Sequence, residues 1–246
     1  KSGPLQLASG GYDRAIRLWD LKPLLSADIS KPYKGESLRT VQTLQGHEGM
    51  VLNLRFSTNG AMLASVGKDA SLRLWDTAHA RSILTLTPTL GVLRSISFVD
   101  YGKPIACGGD GGWARWVPRD HNVTYKLWTN GATVGAVGID RDSEFLVAGD
   151  SSGELWRWNL GSKSDWSAKS LGTMVPAEGR DGASVNGLAF SFDGSWLAAV
   201  GEGGRVNLWR TDKDWLREAP AGLTLPSSIW GVAFDPESKW LAIGGI

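Results

Sequence analysis

The chain has 246 residues, with 26 Lys plus Arg against 25 Asp plus Glu, so no global charge draws it to nucleic acid or an anionic membrane. No apolar run approaches the roughly 20 residues of a membrane helix. A single cysteine, Cys107, excludes an internal disulfide and fits a reducing, cytoplasmic setting.

The opening residues read as a strand, Leu5 to Ser9, then a turn, Gly10-Gly11-Tyr12-Asp13, then a strand ending in Trp19. A loop, Lys22 to Ser37, follows. From Gly46-His47 a fuller pattern begins. A short apolar strand ends in Phe56, a turn runs Ser57-Thr58-Asn59-Gly60, and a small-residue strand covers Met62 to Val66. A further turn leads to a strand ending in Trp75. The pattern recurs with Phe98, Ile105 to Cys107 and Trp116. It returns with Ile139, Leu146 to Ala148 and Trp158, and again with Phe190, Leu197 to Val200 and Trp209. A last partial copy has Phe234 and Leu241 to Ile243.

Spacing carries this reading. From strand-end residue to Trp the four complete units count 19, 18, 19 and 19 positions. From each Trp to the next strand end they count 37, 23, 23, 32 and 25. A constant segment beside a variable one is what packed sheets joined by tolerant loops produce. The units divide as a partial copy at 1–45, complete copies at about 46–87, 88–128, 129–173 and 174–225, and a partial copy at 226–246. The strands are apolar almost throughout, as in sheets covered on both faces. The expectation is an all-β chain of four-stranded antiparallel sheets.

Particular residues resemble the WD-repeat β-propeller family. Leu18-Trp19-Asp20 and Leu74-Trp75-Asp76 carry its Trp-Asp signature, and Gly46-His47 its Gly-His element. The resemblance implies about five blades' worth of a propeller. It also implies a hydrogen-bonded set of four side chains within a blade. His47, Ser65, Asp69 and Trp75 supply that set complete, and Ser9, Asp13 and Trp19 supply it in part. Later units depart: Ser152 and Gly203 stand at the Asp position, so these units are expected to rely on apolar packing and Gly-rich turns. The chain opens and closes in equivalent second strands, Leu-Ala-Ser-Gly-Gly and Leu-Ala-Ile-Gly-Gly. It is therefore expected to belong to a larger propeller of seven or eight blades, with further blades in the parent chain.

Catalytic signals are weak. Gly149-Asp150-Ser151-Ser152-Gly153 resembles a protease nucleophile loop but reads better as a turn, lacking a histidine base. Three scattered His and one Cys offer no metal-ligand spacing, and no phosphate loop is present, so no cofactor is expected. Asn122-Val123-Thr124 matches a glycosylation sequon that matters only in a secreted protein.

Recognition of other proteins remains. The residue after the initial aliphatic of each first strand reads Leu52, Arg94, Gly135, Asn186 and Trp230. The turn before the third strand presents Tyr12, Lys68, Asp110, Ser151 and Glu202. Trp, Tyr and Arg dominate interface energetics. Tyr12, Lys68, Arg94, Asn186 and Trp230 are the candidate contact set. The expected function is a non-catalytic scaffold for partner proteins. A second reading is a sensor region of a larger bacterial signalling enzyme, a kinase, caspase-like protease or NTPase. A weaker one is small-ligand binding in the channel.

Overall fold

The computed structural model describes residues 6–22, 40–87, 91–99, 104–117, 125–129, 131–161, 167–174, 184–211 and 222–245. The chain forms two compact units, Lys1–Leu93 and Arg94–Ile246. The sequon at 122–124 lies outside the described residues.

In the first unit, β1 (Gln6–Gly10), β2 (Ile16–Asp20) and β3 (Thr40–Leu44) make a three-stranded sheet. A second sheet has four strands in sequence order: β4 (Val51–Phe56), β5 (Met62–Gly67), β6 (Leu72–Asp76) and β7 (Arg81–Leu86). The division between units falls at the start of β8 (Leu93–Phe98). That strand opens a third sheet with β9 (Ile105–Gly109), β10 (Trp113–Val117) and β11 (Tyr125–Trp128). The fourth sheet is β12 (Val134–Ile139), β13 (Phe145–Asp150), β14 (Glu154–Asn159) and β15 (Lys169–Thr173). The fifth is β16 (Val185–Phe190), β17 (Trp196–Gly201), β18 (Arg205–Arg210) and β19 (Leu223–Thr224). A hairpin, β20 (Ile229–Phe234) with β21 (Leu241–Gly245), ends the described chain. The described pairings between neighbouring strands are antiparallel, the arrangement that short hairpin turns permit.

Register identifies equivalent residues. Trp19 lies opposite Leu7, Trp75 opposite Leu63, Trp158 opposite Leu146 and Trp209 opposite Leu197. In the third sheet the residue opposite Ile105 is Val117, and Trp116 lies opposite Ala106. Trp116 is therefore one place out of step with the other indoles. The anomalous 18-residue spacing came from choosing the nearest Trp. Counted to Val117 the interval from Phe98 is 19, as in every other complete unit. The same correction puts Cys107, not Ala106, at the place of Ser65.

The repeated Trp has a packing reason. Within the first unit, Trp75 is buried with Leu63 and Val51 against Ile16, Leu18 and Leu44 of the preceding sheet. In the second unit, Trp158 is clustered with Ala106, Ala114 and Leu127, and Trp209 with Val147, Leu155 and Met174. Each of these indoles thus seals its sheet onto the one before. About 200 Å² of aromatic surface at about 25 cal/mol/Å² is about 5 kcal/mol before conformational costs. The sheets approach so closely that second strands need a small residue at one place. A Cβ added to Gly10 would stand 2.7 Å from the Cγ1 of Val51. One at Gly108 or Gly149 would strike the Cγ1 of Val134 or Val185.

Turn geometry repeats as well. Five places before the Trp position the backbone is left-handed in all five units: Arg14, Ala70, Gly112, Gly153 and Gly204 have φ of 66, 59, 67, 86 and 77°. Only Gly takes this region without penalty, so Arg14 and Ala70 carry local strain.

Candidate functional site

In the second sheet four side chains form one hydrogen-bonded chain. Trp75 Nε1 donates to Ser65 Oγ at 2.8 Å, and Ser65 Oγ lies 2.7 Å from His47 Nε2. His47 Nδ1 lies 2.8 Å from Asp69 Oδ2, which also accepts the Glu48 amide at 2.9 Å. The indole can only donate and the Asp69 carboxylate can only accept, so a neutral ring sets the proton order: Trp75 to Ser65, Ser65 to His47 Nε2, and His47 Nδ1–H to Asp69. Burial, helped by the nearby Arg73 charge, holds the His47 pKa below its usual value despite Asp69, so the ring is neutral at pH 7. Burial pushes the Asp69 carboxyl up, but donors from Glu48, His47 and Ser71 outweigh it and hold its pKa below the ordinary carboxylate range.

This order of groups is also that of a Ser–His–Asp hydrolase. The surroundings differ. Ser65 is fully buried and its oxygen already accepts the Trp75 N–H. A nucleophile must reach a carbonyl carbon, and this oxygen reaches only protein. The network closes the turn between β5 and β6. The first sheet keeps one link exposed, Trp19 Nε1 to Ser9 Oγ at 2.8 Å. Asp13 there accepts the Ala15 amide and pairs with Arg17 at 2.6 Å.

The fourth sheet closes the corresponding turn by other means, adding a buried carboxylate to the apolar packing and Gly-rich turn expected there. By register Ala148 replaces Ser65, and Ser152 stands at the place of Asp69. The carboxylate has moved two residues back, to Asp150, which is fully buried. It accepts the Ser152 amide at 2.9 Å, the Ser152 hydroxyl at 2.5 Å, the Glu154 amide at 3.1 Å and the Trp156 indole N–H at 3.2 Å. Asp69 treats Ser71 the same way, taking its amide at 3.1 Å and its hydroxyl at 2.9 Å. The shared signal, Asp-x-Ser, was present in the sequence at both turns and went unread.

The variable position of the first strands also has a structural cause. Register slips by one residue between Val51 and Asn53, Val134 and Ala136, Val185 and Gly187, and Ile229 and Gly231. Leu52, Gly135, Asn186 and Trp230 are thus bulge residues outside the ladder, free of the pairing that restrains their neighbours. Arg94 has the corresponding place in β8. Its Nε lies 2.7 Å from Asp110 Oδ1 in the following turn, an exposed pair that fixes orientation more than stability. This brings the second residue of a first strand and the turn before the third strand to one end of the sheet. Asp110 is the member of that pair the sequence reading did not nominate.

Asn186 and Trp230 also come together. Asn186 Nδ2 donates to the carbonyl of Ile229 at 3.0 Å, and its Oδ1 accepts from Ser184 at 3.1 Å. Asn186 therefore ties two sheets, while Trp230 beside it is 54% exposed. In the first unit, Tyr12 is 85% exposed at the β1–β2 turn and Lys68 is exposed at the β5–β6 turn. Among the described residues no cluster of three or more His, Cys, Asp or Glu could hold a metal ion.

A family model described as "WD domain, G-beta repeat" matches residues 1–20, 38–76 and 170–210. WD repeat-containing protein AAC3 of Dictyostelium discoideum is 26% identical over 213 residues, covering 83% of this chain and 44% of its own length. The target of rapamycin complex subunit LST8 of Mus musculus is 25% identical over 213 residues, covering 85% of this chain and 58% of its own length. The chain thus spans about half the length of these curated relatives. A solved structure titled "Structure of U3-55K" superposes with a TM-score of 0.79 at 17% identity, over 98% of this chain and 70% of that one. The architecture is that of a β-propeller.

Proposed function

This chain belongs to the WD-repeat β-propeller family, and from that premise we propose that it is a non-catalytic cytoplasmic scaffold whose sheet ends hold partner proteins. The observation that carries the reading is the bulge at the start of the first strands. In four sheets it frees one residue from the ladder and lets that residue change without disturbing the core. Arg94 and Trp230 are the exposed members of types that anchor interfaces, and Tyr12 and Lys68 extend the set in the first unit. Asn186 contributes by positioning the strand that bears Trp230. The buried Ser65–His47–Asp69 chain, its one serine oxygen closed off, supports a role without catalysis. LST8 is by name a subunit of a complex, which agrees with a scaffold role.

Alanine at Arg94 and at Trp230 tests the proposal. Captured partners should fall at least severalfold for each variant while circular dichroism stays unchanged. Partners retained by both well-folded variants would show that this face is not the one used.

A further inference from the structure

Asparagine is followed by glycine three times, at Asn59-Gly60, Asn130-Gly131 and Asn186-Gly187. In such a pair the glycine amide nitrogen can attack the asparagine carboxamide, because the glycine has no side chain to obstruct the approach. Sequence alone makes the three pairs equal. Asn130 lies outside the described residues. The other two stand in opposite surroundings.

Asn59 is exposed in the turn between β4 and β5. Its Oδ1 accepts the Ser57 hydroxyl at 2.8 Å and the Ala61 amide at 3.0 Å. Its Nδ2 donates to no atom among the described residues. Gly60 has φ of 70°, its N–H donates to Ser57 O at 2.9 Å, and a Cβ added there would meet nothing within 4 Å. The matching turn between β16 and β17 carries an aspartate instead. Asp193 Oδ1 accepts the Ser191 hydroxyl at 2.6 Å and the Ser195 amide at 3.0 Å. Gly194 beside it has φ of 74°, and its N–H donates to Ser191 O at 3.0 Å. A carboxylate thus already fills the place of Asn59 in another sheet, with the same bonds.

Asn186 lies within β16 and uses both ends of its carboxamide. Nδ2 donates to Ile229 O at 3.0 Å, and Oδ1 accepts from Ser184 at 3.1 Å. Loss of that NH2 would set one acceptor against another. A Cβ at Gly187 would stand 2.9 Å from Val200 Cγ2, so little room surrounds a ring closing there.

We propose that Asn59 is a site of spontaneous deamidation in the folded protein, and that the product closes its turn as Asp193 does. The Gly60 nitrogen bonds to Asn59 Cγ, the Cγ–Nδ2 bond breaks, and the Gly60 amide proton leaves with the amine as ammonia. Closing this succinimide breaks one exposed turn bond, Gly60 N–H to Ser57 O. Water then opens the ring. Attack at Cγ gives aspartate and restores the Gly60 N–H, whereas attack at the Asn59 backbone carbonyl gives isoaspartate. In the matching turn, donors from Ser191 and Ser195 hold the Asp193 carboxyl down to about 2. A carboxylate at residue 59, with donors from Ser57 and Ala61, is likewise depressed. It stabilises the turn above the ordinary carboxylate pKa and loses that effect as pH falls through its own.

The test incubates the full chain at mildly alkaline pH in heavy-oxygen water, below its melting temperature, and maps peptides by mass spectrometry. The Asn59 peptide should gain an acid group and a heavy oxygen severalfold faster than the Asn186 peptide. In urea the two rates should converge. Asn59→Asp should melt no lower than the parent chain near neutral pH, with any gain shrinking on acidification. Asn186 reacting as fast as Asn59 in the native chain would overturn the proposal. So would a lower Tm for Asn59→Asp at neutral pH. A difference in rate that persists unchanged in urea would trace it to neighbouring sequence and overturn the structural account.

Discussion

The second and fourth sheets carry the same strands, the same register and a buried Trp at the same place, yet they lock the same turn with different chemistry. In the second, Asp69 holds a histidine that holds a serine that holds an indole. In the fourth, one buried carboxylate, Asp150, takes a serine and an indole directly. What the two share is a carboxylate whose lone pairs are filled by amide, hydroxyl or ring donors at the strand end. The turn therefore requires a buried acceptor with satisfied partners, and the histidine is one way of supplying a donor to it.

The sharpest way to break the comparison is to remove what the sheets have in common. Trp75→Ala and Trp158→Ala should each cost about 3–5 kcal/mol in denaturant melts, since both indoles are buried between sheets. Very unequal costs would mean that the two are not equivalent packing elements. Next come the carboxylates. Asp69→Ala and Asp150→Ala should each cost about 1–3 kcal/mol, measured by hydrogen exchange in the adjoining strands. A harmless Asp150→Ala would reduce the fourth-sheet network to an accident of packing.

A pH series separates the sheets further. The native His47 pKa is depressed, so below about pH 6.5 the unfolded chain binds the proton first and the second sheet loses stability. Asp69, also depressed, adds a loss at lower pH, as pH falls below the ordinary carboxylate value and through its native one. Protection of β5 amides should thus decline on mild acidification while β13 amides hold, and His47→Gln should remove the difference. The smallest effect concerns the turn backbone. Ala70→Gly should stabilise the second sheet, and Gly153→Ala destabilise the fourth, each by about 1 kcal/mol, because both positions are left-handed.

Much of this was legible beforehand because it depends on local periodicity. The strand-to-Trp interval follows from two strands and one tight turn, which fix a residue count whatever surrounds them. The Gly-rich turns were legible in the sequence, and at Gly153 and Gly204 the backbone is left-handed. His47, Ser65, Asp69 and Trp75 could be named because their types and intervals recur in a known family. Less legible was the third unit, where Trp116 displaced attention from Val117. An indole one place along a strand looks equivalent in sequence but is out of register with the other units by one residue. Asp150 was passed over because it stood at the wrong count from Trp158, although it makes the same bonds to Ser152 that Asp69 makes to Ser71.

By itself the sequence determined that a four-stranded antiparallel sheet recurs, and where its turns and apolar strands fall, because alternation, turn chemistry and spacing act between residues near in the chain. Only tertiary structure decided which residue bulges in β4, β12, β16 and β20, and which carboxylate closes the turn in the second and fourth sheets. Those outcomes depend on what stands across the ladder or across the gap between sheets, and strands brought together from distant positions settle them through hydrogen-bond register and close packing.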